Sequence, residues 1–200
     1  MKQVVVINGG SDFRSYEEFI SYIKSTPVDI SEFLPQQVWR DRLPEELGDN
    51  YRIFIPEMPN RANAHFEEWK IWFEKMTQYL IDDVILIGHS LGALFLAKYL
   101  SENTFPHRIK ATILISAPYD DEGLEPPLGD FAMDRPLDGL ATQGGDIYLV
   151  HAEDDPIVPF AHAKKYLEQL PSAHLVDLKT GKHFIQPEFP ELVELIKKIV

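Results

Sequence analysis

Three groups of residues in this chain could do covalent chemistry together, although they lie far apart in sequence. They are Ser90 within Gly88-His89-Ser90-Leu91-Gly92, the acids Glu153-Asp154-Asp155, and His183 within Gly181-Lys182-His183-Phe184. A serine hydroxyl is a weak nucleophile until an imidazole takes its proton. That imidazole works best when a carboxylate orients it and stabilises its cation. Such a set cleaves acyl bonds through a covalent acyl-enzyme. The 200 residues include no cysteine, which excludes thiol nucleophiles, thiolate zinc sites and redox pairs.

The serine motif has the form GxSxG, preceded by the apolar run Val84 to Ile87 and followed by a helical pattern. A serine on a sharp strand-to-helix turn needs small neighbours two positions before and two after it, because the turn crowds helix against strand. With 11 glycines in 200 residues, chance supplies only about 0.03 such matches, so the motif is specific. Neighbours on a turn point different ways, so His89 is assigned to packing and Ser90 to catalysis.

For the acid, Pro156 holds Asp155 in an extended conformation at a defined place on its loop, with Asp154 as the alternative. Pro159 suits the start of the following helix. His183, on a turn before the last helix, is the expected base. His65, His107, His162 and His174 fall on helices, strands or connections, and His151 reads as a buried strand end. The oxyanion formed on attack needs two backbone donors, assigned to Leu91 and to Gly10, with Ser11 as the alternative to Gly10. Neither HExxH nor a phosphate-binding glycine fingerprint occurs, so no metal and no cofactor are expected.

These residues need a scaffold that delivers them to one edge. Short Val- and Ile-rich runs at 3–8, 51–55, 83–88, 111–116, 147–152 and 173–178 alternate with helical patterns at 69–80, 160–170 and 189–199. That alternation predicts an α/β three-layer sandwich in one domain spanning 1–200, with a mostly or wholly parallel sheet of about six strands. The stripe Trp69, Trp72, Phe73, Met76, Tyr79 and Leu80 reads as core, with a pocket-lining role as the alternative. Pro27, Pro35 and Pro44 rule out one long helix between the first two strands, leaving a short one over 36–42.

The succession GHSLG, EDDPIVP and GKHF before a closing helix resembles the α/β-hydrolase superfamily. Over nearly the whole chain it is similar to that superfamily's smallest serine hydrolases, of the retinoblastoma-binding type. The resemblance implies Ser90 as nucleophile, Asp155 as acid and His183 as base, on a sheet trimmed at its beginning. Lys182 departs from the small residue that many relatives carry there. Larger relatives insert a cap domain where this chain has only residues 117–145, too few for an independent cap.

The balance of 19 basic and 32 acidic residues, net -13, argues against a nucleic-acid partner. No apolar stretch approaches a membrane span, and the expected location is cytoplasmic. Seven acids, Asp120, Asp121, Glu122, Glu125, Asp130, Asp134 and Asp138, crowd residues 117–145 against the single Arg135. If they face the site they should disfavour anionic substrates; otherwise they are a solvated loop. The expected activity is hydrolysis of a small acyl substrate, an ester, thioester or amide. The alternative is a protein-interaction module on a hydrolase fold.

Overall fold

The computed structural model describes residues 1–133 and 135–199. Its six strands are β1 Lys2–Ile7, β2 Tyr51–Phe54, β3 Val84–His89, β4 Ile109–Ile115, β5 Asp146–Ala152 and β6 His174–Leu178. All neighbouring pairs are parallel, in the order β2-β1-β3-β4-β5-β6. The expected runs coincide with these strands to within about two residues at each end, the ordinary uncertainty of element boundaries.

Successive strand residues point to opposite faces, so a sheet covered on both sides needs apolar residues at every position. Val5, Ile7 and Leu86 pack into one core with helices α3 Phe66–Thr77, α4 Leu91–Glu102, α5 Asp138–Gln143 and α6 Ala161–Gln169. Val4, Val6, Ile85 and Ile87 face the other core, under α2 Trp39–Leu47 and α7 Pro190–Ile199. The result is a three-layer α/β sandwich.

The chain leaves β1 for β2 on one side and then crosses to β3 on the other. The winding therefore reverses between β1 and β3, where Ile7 pairs with Gly88. Beyond the carboxyl ends of strands at such a switch point, parallel sheets leave a crevice that receives ligands.

Three local expectations are corrected. A further helix, α1 Tyr16–Ser25, was not expected: Tyr16, Phe19, Ile20 and Ile23 recur at helical spacing although the helix buries none of its residues, and its start is fixed by Ser15, whose Oγ accepts the Glu18 N–H at 3.1 Å. The short helix placed over 36–42 begins at Trp39 and runs through Pro44. Proline removes one backbone hydrogen bond, but Trp39, Leu43 and Leu47 recur at i, i+4 and i+8 and are all buried, which outweighs that loss. The aromatic stripe divides: Trp69 and Phe73 are fully buried, whereas Trp72 and Tyr79 are 46% and 66% exposed beside the edge strand β2.

The approach of α4 to the sheet leaves no room for side chains at two points. A Cβ on Gly92 would lie 2.1 Å from the Ile7 carbonyl oxygen, and one on Gly88 would lie 2.4 Å from the Ala93 Cα. Both obstacles are backbone and cannot rotate away. Gly92→Ala is therefore expected to destabilise the fold by about 3 kcal/mol, lowering Tm by about 6–12 °C. A thermal melt within a degree or two of wild type would show that α4 is free to move off β1.

Candidate active site

Ser90 sits between β3 and α4 with φ 56° and ψ -124°. That backbone region is sparsely populated for a residue with a side chain and costs on the order of 1–3 kcal/mol unless its surroundings hold it. Here the Ser90 N–H donates to the Ile115 carbonyl at 2.9 Å, and the Ser90 carbonyl accepts from Ala93 N–H at 2.9 Å and Leu94 N–H at 3.2 Å. The elbow is thus tied to β4 on one side and to its own helix on the other. Leu91 opens α4, where backbone N–H groups have no intrahelical acceptor.

The loop after β1 lies against the serine. A Cβ on Gly9 would come 2.9 Å from the Ser90 Cβ and 3.4 Å from its Oγ. A Cβ on Gly10 would instead strike the Arg61 carbonyl oxygen at 2.4 Å. Close approach to the nucleophile is therefore a property of Gly9, which the sequence reading did not single out. The Ser11 N–H is committed to the Arg61 carbonyl at 2.9 Å, which removes Ser11 as an oxyanion donor.

The acid loop after β5 and the turn after β6 meet through both acids, in different ways. Asp154 Oδ1 accepts the Lys182 N–H at 2.8 Å and stabilises the turn in which Lys182 has φ 48°. Asp155 lies beside the imidazole, with His183 Nδ1 at 2.9 Å from Oδ2 and 3.1 Å from Oδ1. The Asp155 side chain has no solvent exposure. It also accepts the Ser116 hydroxyl at 2.6 Å and the backbone N–H groups of Ile157 and Val158 at 2.9 and 3.0 Å.

Burial alone would push the Asp155 pKa up. The His183 ring, the Ser116 hydroxyl and the backbone donors outweigh it and hold the carboxyl below its ordinary range. With Nδ1 directed at a carboxylate, the neutral His183 ring carries its proton there and leaves Nε2 as the acceptor.

Two other histidines brace this arrangement. His89 is buried, its Nε2 lies 2.7 Å from the His183 carbonyl, and burial drives its pKa down to about 3. It is therefore a neutral donor that fixes the backbone of His183. His151, 2% exposed, bonds the Val158 carbonyl at 2.9 Å and holds the acid loop. Ser116 was not singled out from the sequence; its one signal is its place at the end of β4, next to the elbow.

Ser90 and His183 line one cleft of about 750 Å³. Residues 117–145 supply part of its wall, but most of the acids there face elsewhere. Asp120 and Glu122 pair with Lys165 at 2.5 and 2.7 Å, and Asp121 accepts the Leu128 N–H at 2.7 Å. Asp134 lies outside the described residues. Among the described acids of this segment, Glu125 alone lines the cleft, which also carries Asp12 and two guanidiniums, Arg40 and Arg61.

Asp12, His65 and Asp130 offer atoms within 4.8 Å of one another, a spacing a metal ion could use. Their oxygens are engaged with backbone: Asp12 Oδ2 accepts the Asp130 N–H at 2.8 Å, and Asp130 Oδ1 accepts the Phe66 N–H at 3.0 Å. The group clasps the loop after β1 to the 117–145 segment and the start of α3.

The sequence profile of the serine hydrolase family matches residues 35–189. YdeN of Bacillus subtilis (strain 168), named as a hydrolase, is 24% identical over 147 residues, covering 71% of this chain and 75% of the relative. The solved structure of the B. subtilis ydeN gene product has a TM-score of 0.76 at 20% identity, covering 100% of this chain and 98% of that one. The meta-cleavage product hydrolase of Pseudomonas fluorescens IP01 has a TM-score of 0.69 at 15% identity, covering 100% and 90%. The shared architecture is the α/β-hydrolase fold.

Asp12 provides a test of the clasp. Burial, then the neighbouring Asp130 charge, push its pKa up from 3.8 to about 7. An acid whose folded pKa lies above its unfolded one binds more protons when folded, so stability falls as the pH rises from about 4 to 7. Asp12→Asn keeps an acceptor for the Asp130 N–H and removes the repulsion. Thermal melts should show it more stable than wild type at pH 8 and no more stable at pH 5. An equal effect at both values would mean that the Asp12 charge does not load the clasp.

Proposed function

This chain belongs to the serine hydrolase family, and we propose on that premise that it cleaves small carboxylic esters, thioesters or amides through an acyl-enzyme formed on Ser90. The observation that carries this reading is the 2.9 Å approach of His183 Nδ1 to the buried Asp155 carboxylate, at the cleft that Ser90 and His183 both line. A cleft of about 750 Å³ lies within the size range of small-molecule sites, roughly 300–1,000 Å³.

In the proposed reaction, Ser90 Oγ attacks the substrate carbonyl while His183 Nε2 takes its proton. The tetrahedral oxyanion receives the backbone N–H groups of Leu91 and Gly10. His183 then returns its proton to the departing alcohol, thiol or amine, leaving the acyl group on Ser90. Water, deprotonated by the same nitrogen, attacks the acyl carbonyl and releases the carboxylic acid and free serine. Asp155 keeps its negative charge throughout and stabilises the imidazolium formed in each half-reaction. No metal or cofactor enters these steps.

Turnover of nitrophenyl acetate by purified variants tests the assignments. Ser90→Ala and His183→Ala should each lower kcat by at least about 10⁴-fold, and Asp155→Asn by about 10⁴-fold. Asp154→Asn, which touches only the turn before His183, should cost less than about 10-fold. A Ser90→Ala protein that keeps its rate would overturn the proposal, and a greater loss from Asp154→Asn than from Asp155→Asn would move the acid.

A further inference from the structure

The cleft beside Ser90 carries two guanidiniums that the acyl-transfer steps do not use. Arg40 is the second residue of α2, whose start is fastened to the loop after His183. The Trp39 N–H donates to the Gln186 carbonyl at 2.9 Å, and the Trp39 indole N–H donates to the Phe184 carbonyl at 2.8 Å. Arg61 belongs to the turn Arg61–Asn63, fastened to the loop after β1. Its carbonyl accepts the Ser11 N–H at 2.9 Å, and its Nε donates to the Gly9 carbonyl at 3.0 Å. One cation thus reaches the cleft from the histidine side and the other from the Gly9 side, with Ser90 and His183 lining the same cleft.

Their carboxylate partners are weak or missing. Arg61 has Glu57 at 3.4 Å, but the Glu57 side chain is 84% exposed and its pairing is open to solvent. Arg40, partly buried, has no ion pair or side-chain hydrogen bond among the described residues. The nearest acid in sequence, Asp41, is occupied in accepting the Val38 N–H at 3.2 Å. Burial lowers the Arg40 pKa, the Asp41 charge raises it, the Arg61 charge lowers it again and the solvent-exposed Glu57 charge raises it least, and the Arg40 charge in turn disfavours protonation of His89. The two cations are therefore close enough to feel each other, and Arg40 is close enough to be felt at the base of the His183 turn.

A partly buried, unpaired cation beside a second cation costs folding free energy. A ligand that supplies the missing anion recovers that cost on binding. Guanidiniums suit this task because their forked N–H groups bind a carboxylate or phosphate through two oxygens at once. Opposing charge in the cleft comes from Glu125 and from Asp12, and the Asp12 pKa of about 7 leaves it only partly ionised at neutral pH.

Resting on the hydrolase reading above, we infer that the preferred substrates carry an oxyanion, a carboxylate or phosphate, away from the scissile carbonyl, and that Arg40 with Arg61 binds it. Arg40 is the specificity-determining residue best suited to test, because Arg61 also supports the Gly9 loop. This is the opposite of the substrate charge that the acidic composition of residues 117–145 suggests.

The test compares two chromogenic substrates that differ in one charge: the nitrophenyl hemiester of adipate and the same compound with its distal carboxylate methylated. Wild type should favour the charged ester by at least about 10-fold in kcat/KM, mostly through KM. Arg40→Gln should bring the ratio to about 1 while changing the neutral ester by less than about 3-fold, with Tm equal to or above wild type. Adipate, hexanoate and inorganic phosphate, tested as inhibitors of neutral-ester turnover, separate the sources of the anion. Stronger inhibition by adipate than by hexanoate supports a distal carboxylate, and inhibition chiefly by phosphate supports the same site for a phosphoryl group.

Equal rates on the two esters, or a preference that survives in Arg40→Gln, would overturn the inference while neutral-ester turnover leaves the hydrolase reading standing. A lower Tm with equal losses on both esters would mark Arg40 as structural and also overturn it. Failure of wild type to turn over either ester would remove the hydrolase reading, and this inference with it.

Discussion

The close seating of α4 on β1 and β3 is the constraint from which the rest of the site follows. Two glycines let backbone touch backbone, with no space for a Cβ at Gly92 against Ile7 or at Gly88 against Ala93. That contact forces the chain to turn sharply at Ser90, whose φ of 56° then lies in a region most side chains avoid. The turn occurs where the winding of the sheet reverses, so the hydroxyl comes out beside the loop after β1 rather than under a helix. Gly9 is held to glycine by the same serine. Packing, backbone strain and access to a ligand are here three aspects of one contact.

The electrostatics follow from burial in the same region. Asp155 remains an anion without solvent because a hydroxyl, two backbone donors and an imidazole surround it. His89 and His151 are driven toward the neutral form by burial and act as struts, one holding the backbone of His183 and the other the acid loop. In the proposed reaction a positive charge then arises at one imidazole only, the one facing the carboxylate. In the inference above, the Arg40 and Arg61 charges, which line the same cleft, serve the substrate's distal anion and not the imidazole.

The parts of this arrangement that were legible in the sequence are those written in local patterns. Strands buried on both faces show as continuous apolar runs, and the elbow needs glycines at fixed offsets, so the parallel sheet and the place of Ser90 could be read directly. Pro156 favoured Asp155, and the structure brings that residue to His183 while Asp154 caps the neighbouring turn. What escaped depends on contacts between distant segments. Gly9 and Gly10 look alike until one meets Ser90 and the other Arg61. Arg40 is carried to the cleft by Trp39, whose indole bonds a carbonyl 145 residues away. Counting acids in 117–145 could not say which way each faces, and Lys165 and backbone amides take up several of them. Helix α1 was legible in Tyr16, Phe19, Ile20 and Ile23 at helical spacing and was passed over, although the fold buries none of its residues.

The central claim is that this fold makes Ser90 a nucleophile. Mass spectrometry of the folded protein after treatment with a fluorophosphonate, with the modified residue located by peptide mapping, tests it most directly. The expected result is one adduct per chain, on Ser90, formed far more slowly in His183→Ala. Failure of the folded wild type to react, or an adduct on any other residue, would contradict it.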